Sequence, residues 1–158
     1  MSTTVDTSHA KSVQVQPVQI RSATAADAGP VFELLKQLGS EYAPDRAAFD
    51  ASFTHAVDDQ AATLMLVAQH PDTGVVGYAF ATVAHLLHTN GSSAQLQELV
   101  VDGSVQSAGI GTRLVEAVEA VCLERGVRQL TVPSRGSADF FERIGYRSTA
   151  DFLKRVFD

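Results

Sequence analysis

The run Gln106-Ser107-Ala108-Gly109-Ile110-Gly111 constrains this chain more than any other, because of what flanks it. Ahead of it, Leu96-Gln97-Glu98-Leu99-Val100-Val101 is largely apolar and ends β-branched, the pattern of a strand. Behind it, Ile110, Leu114, Val118 and Val121 recur every three or four positions, one stripe of a helix. A glycine-bearing turn from strand into helix aims backbone N–H groups outward at the helix N-terminus. Those donors have no intrahelical acceptor, and with the helix dipole they favour a phosphate or pyrophosphate. Gly109 and Gly111 carry no Cβ, so a bulky anion is expected to approach the backbone closely.

Two nucleotide motifs do not fit. A phosphate loop of the nucleotide-hydrolysing type needs Gly-Lys-Ser/Thr, and Gly111 is followed by Thr112 and Arg113. A dinucleotide fingerprint needs a third glycine where Leu114 stands. What remains is Gln/Arg-x-x-Gly-x-Gly/Ala, and in this the segment resembles the GNAT superfamily of acyl-CoA-dependent N-acetyltransferases. A second block, Ala138-Asp139-Phe140-Phe141-Glu142-Arg143-Ile144-Gly145-Tyr146, is similar to that family's late helix, Ala-x-x-Phe-Tyr-x-x-x-Gly-Phe/Tyr. A strand, Gln129-Leu130-Thr131-Val132, separates the two blocks.

The resemblance implies a mixed α/β (α+β) fold: a central, mostly antiparallel sheet, splayed at the middle and flanked by helices. It spans a single acetyltransferase-like domain over 18–158, preceded by a flexible N-terminal arm over 1–17. It implies acetyl-CoA as co-substrate and no metal. The pyrophosphate would lie on the loop Gln106, Ser107, Ala108, Gly109, Ile110, Gly111 and Thr112, mostly through backbone N–H groups, with Ser107 able to cap the helix. The backbone of Leu99, Val100 and Val101 would bind the pantetheine arm, and the Leu99 N–H would polarise the acetyl carbonyl. Phe141 would meet the cofactor from the late helix; a tyrosine often stands there, and phenylalanine has no proton for the departing thiolate. The loop itself carries no charge, which leaves Arg113 and Arg143 as further phosphate candidates.

Direct transfer needs a base. The usual positions, two and four residues before Leu99, hold Gln97 and Gln95, which cannot serve. Glu98 is the nearby carboxylate and the catalytic candidate, although strict alternation turns it to the opposite face unless a bulge intervenes. His85 and His88 are other candidates, imidazole being a common catalytic base, and their spacing without further ligands reads as loop rather than metal site. Glu41 and Tyr42, between the first two helices, fall where the family contacts the acceptor: a carboxylate to pair with an amine and a ring to cover it.

The formal net charge of −6 argues against nucleic-acid binding, and its distribution says more. Residues 1–100 hold four Lys/Arg against ten Asp/Glu, whereas 101–158 hold eight of each. The excess acid therefore sits in the half that, by the resemblance, builds much of the acceptor side, which suits a small cationic amine. No apolar run is long enough to span a membrane, and one cysteine, Cys122, fits a packed residue in a reducing, cytoplasmic setting. Along the chain, Val18–Arg21 reads as a strand; Thr24 or Asp27 as the cap of a helix carrying Val31, Leu34, Leu35 and Leu38; and 45–57 as a second helix. Strands are expected over 63–68, 75–83 and up to Val101, and a final strand pair would end in Phe152–Phe157, where a homodimer could form. Two other functions stay open: a regulatory acyl-CoA-binding module without turnover, and acetylation of a protein N-terminus or lysine.

Overall fold

A computed structural model of the chain describes residues 18–157, apart from the side chains of Gln106 and Ser107. The expected arm over 1–17 lies outside the described residues, as does Ser107 as a side-chain cap. In chain order the elements are β1 (Gln19–Ser22), α1 (Ala28–Leu35), α2 (Arg46–Asp58), β2 (Thr63–His70), β3 (Gly74–Leu86), β4 (Gly91–Val101), α3 (Ile110–Glu124), β5 (Gln129–Thr131) and α4 (Ala138–Arg143). The strands form one sheet in sequence order, antiparallel from β1 to β4, with β5 joined parallel to β4. A parallel neighbour cannot follow by hairpin, and α3 supplies the crossover. The Asn90-Gly91 turn between β3 and β4 uses positive φ at both residues, a conformation those two types reach most readily.

Alternation along β2 assigns the two cores. Leu64 and Leu66 join Ala79, Ala81 and Leu96 beneath Leu114, Val115 and Val118 of α3. Met65 and Val67 face the other way, with Tyr78 and Val100, against Val31, Leu34 and Phe53 of the first two helices. Gly77 lets α3 seat on the sheet: a Cβ there would lie 3.0 Å from the Val100 carbonyl oxygen and 3.2 Å from Leu114 Cδ1. Cys122 is buried in the α3-side core, where burial pushes its thiol pKa up, as a packed residue and not a nucleophile requires. Among the described residues no helix is long and apolar enough to cross a membrane.

The expected final strand pair is absent: 144–157 form no strand. Their apolar residues do not alternate but come in adjacent pairs, Phe152-Leu153 and Val156-Phe157, so neither face of a strand would be consistently apolar.

Entry into α1 depends on a buried carboxylate. Asp27 accepts from both terminal nitrogens, Nη1 and Nη2, of the Arg21 guanidinium, each at 2.8 Å, and from the Thr24 N–H at 2.8 Å. The Arg21 hydrogen bond, outweighing burial, holds the Asp27 carboxyl below its usual range. Asp27→Ala is expected to cost about 2–3 kcal/mol, since it removes the counter-charge of Arg21, which keeps only its bonds to Gln69 and the Ser22 carbonyl, and leaves the Thr24 amide without its acceptor. In the wild type this contribution is full above the unfolded carboxylate value near 4 and is lost as pH falls through the lower folded value. Urea denaturation of both proteins at neutral and acid pH reads this as a gap that closes in acid.

Candidate active site

The β4–β5 ladder has three residue pairs, ending at Gln95–Thr131. β4 runs on to Val101, and among the described residues its second edge from Leu96 to Val100 has no strand beside it. Asp102 N–H donates to the Val76 carbonyl at 2.8 Å, which continues the β3 ladder. By antiparallel alternation the Val100 N–H faces β3, and the Leu99 N–H faces the unpaired edge.

At the end of that edge the chain makes a helical turn over Gly103–Ala108, opened by the Asp102 side chain, which accepts from Ser104 N–H and hydroxyl. Gly109 then reverses into the left-handed region at φ 74°, and α3 begins. The first intrahelical bond at this end is Arg113 N–H to Gly109 O, so the amides of Ile110, Gly111 and Thr112 precede the helical ladder and sit at its positive end.

The two loop glycines are not equivalent. Gly109 needs its φ, whereas a Cβ on Gly111 would meet Phe140 Cζ at 3.6 Å and Val101 Cγ2 at 3.7 Å, ordinary contacts. Within the protein itself, Gly111 therefore has room for a methyl group. Gly109→Ala is expected to cost about 1–2 kcal/mol of backbone strain. Gly111→Ala is expected to leave stability unchanged or raise it by up to about 1 kcal/mol, as alanine favours a helix. Thermal melts of the two variants should move in opposite directions or differ by that margin.

A bulge decides the face of Glu98. Phe80 pairs with Glu98, but Ala81 pairs with Leu96, so Gln97 is an extra residue in β4. Leu96 points to the α3 core and Val100 to the opposite core, although they are four apart. The bulge thereby brings Glu98 to the same face as Gln95 and Gln97, and the simple alternation that turned it away is corrected. On this face Gln97 donates to Thr82 Oγ1 at 2.9 Å, Gln95 donates to Gln97 at 3.3 Å, and Thr131 donates to Gln95 at 3.4 Å.

Glu98 Oε1 accepts from the Tyr78 hydroxyl at 2.7 Å. Burial first, and the Glu98 charge second, push the Tyr78 pKa far above its usual value, so Tyr78 stays a neutral donor. The second oxygen, Oε2, makes no hydrogen bond among the described residues. Sequence reasoning missed Tyr78; the signal was a hydroxyl inside the buried run Val75-Val76-Gly77-Tyr78-Ala79-Phe80, where it needs a partner.

Other expected residues fall differently. Phe141 is 6% exposed, packed in the α3-side core with its ring edge-on to Phe140 and Tyr146. Phe140, one residue earlier and so rotated about the helix, is the side chain that reaches the corner between Gly111 and Val101. Arg113 is tied to the Val18 carbonyl and is not turned to the loop. His85 and His88 are exposed, and no group of three possible metal ligands occurs among the described residues.

The link between α1 and α2 borders the same end of β4, because Gln37 Oε1 accepts from Gly103 N–H at 3.0 Å. Farther along it, Glu41 and Tyr42 are exposed and are met together by one cation, Lys154: its ammonium pairs with Glu41 and lies 5.7 Å from the centre of the Tyr42 ring.

With this geometry in place, a family profile described as an acetyltransferase (GNAT) domain matches residues 34–155. The chain belongs to the GNAT acetyltransferases. Solved structures agree on the fold. Glucosamine-6-phosphate N-acetyltransferase from Arabidopsis thaliana superposes with a TM-score of 0.79 at 19% identity, covering 90% of this chain and 99% of that one. An acetyltransferase of Trypanosoma brucei gives 0.75 at 22%, covering 89% and 100%. AAC(6')-Iy, in complex with the bisubstrate analogue CoA-S-monomethyl-acetylneamine, gives 0.73 at 19%, covering 90% and 99%. No curated protein matches the sequence. The matched GNAT segment contains the edge of β4, the glycine turn and the parallel β5.

Proposed function

We propose that this GNAT protein transfers the acetyl group of acetyl-CoA to a small cationic primary amine by direct attack. The observation that carries the reading is the bulge at Gln97, which puts Glu98 on the polar face beside the edge that bears the Leu99 N–H. The loop from Ala108 to Thr112 would hold the pyrophosphate on backbone amides, and β4 from Leu99 to Val101 would hold the pantetheine. Glu98, fixed by Tyr78, takes a proton from the bound ammonium, directly or through one water. The freed nitrogen attacks the thioester carbon; the C–N bond forms, and the carbonyl oxygen gathers negative charge against the Leu99 N–H. Collapse breaks the C–S bond and releases CoA as a thiolate, and the remaining surplus proton on the new amide nitrogen passes to that thiolate or to water. A thiol pKa near 8.5 makes that departure feasible without an acid, which suits a late helix carrying Phe141 where a tyrosine often stands.

Glu41 and Tyr42 are assigned to the acceptor's charge, and the acidic surplus of the first hundred residues draws that charge in. The test is a panel of amines and matched alcohols with acetyl-CoA, reading CoA thiol release and acetylated product. Turnover of cationic primary amines supports the reading. Thiol release no faster than spontaneous hydrolysis with every amine would overturn it.

A further inference from the structure

The residues assigned to the acceptor already hold a primary ammonium, one supplied by the chain itself. Among the described residues, Lys154 makes the only hydrogen bond and the only ion pair of the segment 147–157, and its partner is Glu41. The same ammonium sits over the Tyr42 ring, so one cation meets both a carboxylate and an aromatic face. Little else fastens the segment. Phe152, Leu153 and Phe157 are 63%, 89% and 85% exposed, so apolar burial contributes little to holding it in place. Lys154 and, less strongly, Arg135 keep the Glu41 carboxyl below its usual range, the response of a site already sensing positive charge. A lysine side chain is an ammonium on a flexible, unbranched four-carbon stem. What fits there in place of Lys154 is a ligand of the same kind.

We infer that Lys154 is a built-in competitor for the acceptor: it occupies the cation subsite of Glu41 and Tyr42, and the C-terminal segment must release before an alkylammonium acceptor binds. The inference rests on the reading of Glu41 and Tyr42 given above, and it narrows the acceptor to primary ammonium groups carried on slender alkyl chains. Exchange of one ammonium for another at an exposed carboxylate costs little, so such a latch opens readily, and salt weakens it.

The test reads the segment directly and needs no turnover. Chymotrypsin cleavage after Phe152 and Leu153 is timed in the wild-type protein, in Lys154→Met, in Glu41→Gln and in the double variant. Each single substitution is expected to speed cleavage about two- to five-fold, the range an exposed ion pair supports, and the double variant no further. Melting temperatures should stay unmoved, which places the change in the segment. Butylammonium, the lysine side chain without its backbone, should raise the wild-type rate toward that of Glu41→Gln and leave Glu41→Gln unaffected. Cleavage unchanged by either substitution would overturn the latch. A latch that opens on mutation but ignores butylammonium would overturn the competition. The amine panel reports separately: acetylated amines with an unchanged cleavage rate would sink this inference alone. A responsive latch with no acetylated amine would sink the proposed function.

Discussion

Glu98→Gln is expected to lower kcat by about 10²–10⁴-fold, the usual contribution of a positioned general base, with acetyl-CoA affinity unchanged. The substitution is close to isosteric, and the amide oxygen can still accept from the Tyr78 hydroxyl, which now lies 2.7 Å from Glu98 Oε1. It therefore removes basicity and leaves the anchoring in place. Tyr78→Phe is the complementary lesion: the carboxylate stays but loses its anchor, so a smaller fall in kcat should follow. Single-turnover kinetics with saturating acetyl-CoA separates these effects from product release. Unchanged turnover in Glu98→Gln would return Glu98 to a structural role within the sheet.

Leu114→Ala carries the largest expected loss of stability, about 3–5 kcal/mol, because a fully buried leucine leaves a cavity that its surroundings only partly fill. Leu114 is 0% exposed in the first turns of α3, and its Cδ1 lies 3.2 Å from the position a Cβ on Gly77 would take. That contact sets the height of the helix over β3 and β4, and so the position of the amides at its N-terminus. The lost stability should thus be accompanied by weaker acetyl-CoA binding, although Leu114 belongs to the core and not to the loop. Urea denaturation gives the first quantity and titration of the still-folded variant gives the second. A loss below about 1 kcal/mol would mean that the α3 core closes around the gap, contrary to the usual cost of such a cavity.

Much of the fold is legible in the residues. Periodicity gives α3 through Ile110, Leu114 and Val118; the Asn90-Gly91 pair gives the β3–β4 turn; Asp45, whose side chain accepts from Ala48 N–H at 2.8 Å, starts α2. Local signals of this kind act over a few residues, and the sequence displays them. The candidate-site face is harder to read because it depends on register. Leu96-Gln97-Glu98 breaks alternation with two polar residues in a row, which is a hint of a bulge, yet only the pairing of Phe80 and Ala81 across the sheet shows which residue is extra. The Phe140-Phe141 pair is similar: both suit a helix, and the rotation of α4 on the sheet decides that Phe141 is buried while Phe140 meets the loop. The contact of Lys154 with Glu41 joins residues 113 apart and has no local signature at all. The missing final strands show the converse, an apolar stretch without the alternation that a strand needs.

The most direct test is calorimetric titration of the purified protein with acetyl-CoA, with CoA and ATP in parallel. Backbone amides at the head of α3 together with the unpaired edge of β4 predict micromolar binding of acetyl-CoA and CoA, and none of ATP, which shares the phosphates but lacks the pantetheine arm. Equal binding of ATP, or no binding of either CoA species, would contradict the account.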